Sequence, residues 1–140
     1  MKALYEAQAT ATGGRAHGKV KSSDGVLDLE LRMPKSLGGT GGAFTNPEQL
    51  FAAGYSACFD SALNHVARLQ KITLEGTEVT ATVGIGALEG GGFGLEVALD
   101  VKIPHEDRTV AEKLLHAAHQ ACPYSNATRG NIEVKLTLLD

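Results

Sequence analysis

Apolar and polar side chains alternate along four stretches of the chain and recur on a helical period along two others. In "VLDLELRM" (26–33), Leu27, Leu29, Leu31 and Met33 fall on one face and Asp28, Glu30 and Arg32 on the other, the pattern of a half-buried strand. "KALYEAQA" (2–9) reads as a strand, and a short one near 16–22 follows the Gly13-Gly14 turn. "TEVTATVGIGAL" (77–88) and "FGLEVALDVKI" (93–103), joined by "EGGG", predict a long hairpin. "IEVKLTL" (132–138) predicts a last strand, after a loop over "PYSNATRGN". The two helical stretches are 46–70 and "EDRTVAEKLLHAAHQA" (106–121), the second stopped by Cys122 and Pro123. The order βββ-α-ββ-α-β, with a long central helix, makes the class α+β.

The central helix is sharply punctuated. Asn46 suits the N-cap, Pro47 the first helical position and Gln49 the third position of a capping box. Phe51, Tyr55, Cys58, Ala62, Val66 and Leu69 share one apolar stripe. Gly54 interrupts it, at a cost of roughly 1 kcal/mol against alanine, and offers a place to bend.

A chain of 140 residues, 43% hydrophobic and 21% charged, is read as one domain, 1–140, with a sizeable core. A net charge of −3 with scattered basic residues gives no footprint for nucleic acid or an anionic membrane. The N-terminus lacks the apolar block of a signal peptide, and no stretch is long enough to span a bilayer, so the expected compartment is the cytoplasm. In that compartment the two cysteines, 58 and 122, read as catalytic or redox-sensing rather than as a structural staple. The glycine-rich stretches 34–44 and 84–92 match neither phosphate-binding pattern.

Cys58 poses the sharper question. On an apolar stripe a cysteine behaves first as a small hydrophobe, and burial raises a thiol pKa. Reactivity needs a cation beside the sulfur. The helix cannot supply one, because the N-terminal dipole has faded a dozen residues in and His65 lies about 10 Å further along the axis. The activator must be an arginine or lysine from elsewhere, and the pattern alone does not choose among them. Cys122, at a helix end beside a polar loop, can move toward a partner, and a disulfide with Cys58 requires Cα atoms within about 7 Å. His116, His119 and Cys122 form an HxxHxxC run, but successive steps of three drift by about 60°. With no fourth ligand, no metal is assigned.

The stretches "GGRAHG" (13–18), "RMPKSLGGTGGAFTNPEQLFAAGYSACF" (32–59) and "CPYSNATRGNIEV" (122–134) resemble the organic hydroperoxide resistance proteins, within the OsmC-like superfamily. The last two together are highly specific, and "CPYSNATRGN" separates this group from its OsmC relatives. Phe44 departs from the pattern, where a small residue is expected. The resemblance implies an intertwined homodimer with active sites at the subunit interface. It implies a peroxidatic Cys58, a resolving Cys122, Arg15 as the cation and Glu48 as the carboxylate that holds it. It also implies reduction of organic hydroperoxides, no bound cofactor or metal, and recycling by dihydrolipoamide or a lipoylated protein. Two other readings stand beside it: a broader OsmC-type peroxidase and a non-catalytic redox-sensing or ligand-binding module. One geometric condition follows. Glu48 and Cys58 are ten residues apart, about 15 Å on a straight helix, so they share a pocket only if the helix breaks near Gly54 or Glu48 comes from the other subunit.

Overall fold

Strand alternation builds two three-stranded sheets in the computed structural model, which describes residues 1–140. The elements group into two compact units, Met1–Leu50 and Phe51–Asp140. The class is α+β, as the pattern predicts.

In the first unit, β1 (Ala9–Thr12), β2 (Gly18–Ser22) and β3 (Asp28–Leu31) form an antiparallel meander, with Thr12 opposite Lys19 and Lys21 opposite Asp28. The strand expected over 2–9 instead starts at Ala9. Ala9 is matched by Ser22, the last residue of β2, and before that pair only the Gln8 carbonyl is held, by the Ser23 N–H at 2.9 Å. A one-turn helix, α1 (Gly14–His17), replaces the expected turn between β1 and β2. Of the apolar row on β3, only Leu31 is buried; Leu27 and Leu29 remain 47% and 37% exposed. The sheet of this unit therefore carries apolar side chains that the unit does not cover.

Helix α2 (Pro47–Leu69) starts as its caps predict, the Gln49 N–H donating to Asn46 Oδ1 at 2.8 Å. The capping box does not close. The Gln49 side chain accepts from the Thr45 hydroxyl at 2.7 Å instead.

In the second unit, β4 (Glu78–Ala87) and β5 (Phe93–Lys102) pair along ten residues, and β6 (Val134–Leu138) lies parallel to β5. A parallel neighbour needs a crossover. Helices α3 (Arg108–Ala121) and α4 (Pro123–Thr128) supply it. Asp107 caps α3, its carboxylate accepting from the Thr109 N–H at 2.9 Å. The loop expected after Pro123 is partly helical. Proline ends α3 because it has no N–H to give, and for the same reason it suits the first position of α4. Val97, Leu99, Val101 and Ile103 alternate onto one face and pack with Tyr55, Phe59, Leu63 and Val66 of α2 and Leu114, Leu115 and Ala118 of α3. Each fully buried leucine or phenylalanine here contributes about 1.5–3 kcal/mol. The buried stripe of α2 sits slightly round from the expected one. Phe59, Leu63 and Ala67 are inside, whereas Leu69 is 70% exposed.

Candidate active site

Arg15 rides on α1 at the tip of the first hairpin. Gly13 adopts φ +77° to start that turn, and a Cβ on Gly18 would collide with the Gly14 carbonyl, so the tight return depends on glycine. The Arg15 guanidinium meets Glu48 as a fork, Nη1 to Oε2 at 2.9 Å and Nη2 to Oε1 at 2.7 Å. Such bidentate pairing fixes orientation as well as charge. Glu48 lies in the first turn of α2, where a carboxylate is favoured by the helix N-terminus. The hydrogen bonds from Arg15 hold the Glu48 carboxyl below its usual range, and the same contact raises Arg15. Both side chains are charged at any ordinary pH. Their side chains are 36% and 13% exposed, so the fork is presented rather than sealed in.

The two cysteines, 64 residues apart in sequence, lie together in the second unit, with Sγ atoms 3.6 Å apart. Both are free thiols; Cys122 is fully buried and Cys58 partly so. A disulfide would need the sulfurs to close to about 2.05 Å. Burial pushes the Cys58 thiol up, the Tyr124 backbone N–H pulls it down, and the neighbouring Cys122 sulfur adds to the rise. No cation is among the groups acting on it.

The bend expected near Gly54 is absent: α2 is continuous from Pro47 to Leu69. Gly54 serves another purpose. A Cβ there would lie 3.0 Å from the Tyr124 hydroxyl and 3.1 Å from its ring, so the bare helix backbone is the berth for that side chain. The Tyr124 ring also sits 6.2 Å from Phe51 and 5.7 Å from Tyr55, centroid to centroid. Phe51, Tyr55 and Tyr124 thus form an aromatic cluster around the turns of α2 that precede Cys58. His65 is exposed beside Arg68, and the His119 ring turns to Ser125. The pairs that the family resemblance implied, Arg15 with Glu48 and Cys58 with Cys122, are each brought together; side-chain pattern alone chose neither. It missed Tyr124, for which the signals were a glycine inside a strong helix and an aromatic following a Cys-Pro pair.

The OsmC-like protein family model matches residues 39–137. The chain belongs to the OsmC-like family. Within that family, this OsmC-like protein is 54% identical to an organic hydroperoxide resistance protein of Xanthomonas axonopodis pv. citri over 98% of its own length and 96% of the relative's. It is 52% identical to the organic hydroperoxide resistance protein OhrB of Bacillus subtilis, over 97% and 98% of the two chains. The crystal structure of an organic hydroperoxide resistance protein from Elizabethkingia anophelis, solved with thiocyanate bound, superposes with a TM-score of 0.95 at 61% identity. That match covers 100% of this chain and 99% of the other.

Proposed function

We propose that this protein is a two-cysteine thiol peroxidase that reduces organic hydroperoxides, working as a homodimer whose active sites combine residues of both subunits. The observation that carries the reading is the pairing of Cys58 with a buried Cys122 at 3.6 Å, in a chain whose relatives bear the name organic hydroperoxide resistance protein. The continuous α2 keeps Glu48 about 15 Å along the axis from Cys58, so the Arg15–Glu48 fork that ionises Cys58 comes from the second copy. Uncovered Leu27 and Leu29 on the first sheet supply apolar surface for that copy to bury.

In this mechanism the Arg15 guanidinium stabilises the Cys58 thiolate and hydrogen-bonds the peroxide. The thiolate attacks one peroxide oxygen and the O–O bond breaks. The alkoxide leaves and takes up a proton as the alcohol, and Cys58 becomes a sulfenic acid. The Cys122 sulfur then attacks the Cys58 sulfur, expelling water and forming the disulfide. A dihydrolipoyl dithiol reopens it by two exchange steps, ending as the cyclic lipoyl disulfide. The aromatic surround of Phe51, Tyr55 and Tyr124 favours alkyl or lipid hydroperoxides over hydrogen peroxide.

The test is turnover of cumene or tert-butyl hydroperoxide with dihydrolipoamide, beside hydrogen peroxide. Preference for the organic peroxides is expected. Equal rates would point to the broader OsmC-type activity, and no turnover to a sensing or binding module.

A further inference from the structure

Cys122 does not hang in a loop. It is the single residue between α3 and α4, with φ −66° and ψ 121°, and both helices bond to its backbone. Its N–H donates to the Ala118 carbonyl of α3 at 2.8 Å, and its carbonyl accepts from the Asn126 N–H of α4 at 3.0 Å. The joint is also spanned by side chains. His119, three residues before Cys122, and Ser125, three residues after it, bring Nδ1 and Oγ to 2.9 Å. Arg129 Nη2 adds a bond to the His119 carbonyl at 2.8 Å.

The same Ser125 ties the joint to α2. Its Oγ lies 2.9 Å from the Tyr55 hydroxyl, which also reaches Thr128 Oγ1 at 3.2 Å. Tyr55 stands three residues before Cys58, as Ser125 stands three after Cys122. Residues three apart are neighbours on a helix surface. Hence α2 and the joint meet at two adjacent points: hydroxyl on hydroxyl and, one turn along, Sγ on Sγ at 3.6 Å. Tyr55, Ser125, Thr128 and Cys122 are all buried, so water does not compete for the hydroxyl bonds.

We propose that Tyr55, Ser125 and His119 are positioning residues for the resolving step: they clamp the α3–α4 joint to α2, so that Cys122 reaches the Cys58 sulfur with α4 still wound. The proposal rests on Cys58 and Cys122 forming the disulfide of the peroxidase reading. Each of the three acts on the sulfurs through the helix backbone. Holding two groups together before they react removes the ordering cost from the bond they form and raises the effective concentration of one toward the other. By linkage, the disulfide strengthens the clamp by the same factor as the clamp strengthens the disulfide.

The experiment equilibrates the full-length dithiol protein with reduced and oxidised glutathione at pH 7 and measures the trapped protein disulfide by mass spectrometry. In that exchange one glutathione disulfide bond breaks and the Cys58–Cys122 bond forms. The two protein thiols are oxidised, and their two protons end on the two glutathione thiols released. Tyr55→Phe and Ser125→Ala should each lower the equilibrium constant for the protein disulfide about tenfold, a rise of about 30 mV in reduction potential. His119→Leu loosens the joint alone and should lower the constant about threefold. A merely structural bond is lost equally from the dithiol and disulfide forms. Melting temperatures that fall equally in both, with unmoved potentials, would therefore overturn the proposal. The wild type carries a second readout, independent of whether any variant folds. Its Asn126 and Arg129 N–H groups, bonded within α4, should be equally protected from hydrogen exchange in the dithiol and disulfide proteins. Loss of that protection on oxidation would mean that α4 unwinds, and would overturn the proposal. A wild type that forms no disulfide would overturn the two-cysteine reading and the clamp with it, whereas a wild-type disulfide matched by the variants would overturn the clamp alone.

Discussion

Replacing Arg15 by alanine isolates the effect on which the chemistry depends. Burial raises Cys58, and within its own unit only the Tyr124 N–H opposes that rise. A guanidinium about 4 Å from the thiolate contributes about 4 kcal/mol at an effective dielectric of 20, equivalent to roughly three pKa units. Arg15 is more than a third exposed, and solvent screening reduces this to about one to two units. Alkylation of Cys58 at pH 7 should therefore slow about 10- to 100-fold in Arg15→Ala. The melting temperature should hardly move, because a half-exposed ion pair is worth about 1 kcal/mol or less. Arg15→Lys should recover part of the rate, since it returns the charge but not the fork that matches Glu48. The assay is the iodoacetamide rate against pH, with Cys58 and Cys122 peptides resolved by mass. An Arg15→Ala profile superimposable on wild type would refute the reasoning and assign the cation elsewhere.

Cys122→Ser should leave the Cys58 sulfenic acid without its partner at 3.6 Å, so dimedone labels Cys58 after one equivalent of hydroperoxide; a disulfide-like protection in that variant would contradict the resolving role. Gly54→Ala should gain less than the ~1 kcal/mol of helix propensity, because the new methyl crowds Tyr124 at 3.0 Å, and should slow Cys58 alkylation. Full stabilisation with an unchanged rate would show that the tyrosine does not need the berth. Glu48 titrates lower in the fold than in the unfolded chain, so its contribution is present above the ordinary carboxylate value and fades as pH falls through its depressed one. Urea midpoints of wild type and Glu48→Gln should accordingly differ at pH 7, with the gap narrowing as pH falls below the ordinary carboxylate range, and a gap that stays constant with falling pH would refute the pairing.

Much of this was legible in the sequence where local rules act alone. The alternation of Val97, Leu99 and Val101, the Asn46 cap and the stop at Pro123 follow from side-chain period and backbone chemistry, and the structure carries each. Gly54 was misread because a helical glycine has two physical uses, bending the backbone or admitting a neighbour, and only the position of Tyr124 distinguishes them. The first strand was misplaced because residues 2–8 have strand-like alternation but, past the Ser23 N–H on the Gln8 carbonyl, no strand to pair with. Cys122 and the short α4 show the limit of pairwise reading: proline was taken only as a terminator. Tyr55 held an unused signal. A phenol on an apolar stripe needs a polar partner, and its partners lie 70 and 73 residues away.

The central claim is that Cys58 of one subunit is activated by the Arg15–Glu48 fork of the other. The direct measurement mixes Arg15→Ala protein, whose Cys58 reacts about 10- to 100-fold more slowly, with Cys58→Ser protein, which has no reacting thiol, refolds them together and assays cumene hydroperoxide turnover. Shared sites predict recovery of about a quarter of wild-type activity, since random pairing makes half the dimers mixed and each mixed dimer holds one complete site. Activity no greater than that of the separate variants would contradict the account and place the arginine and the cysteine of each site in the same chain.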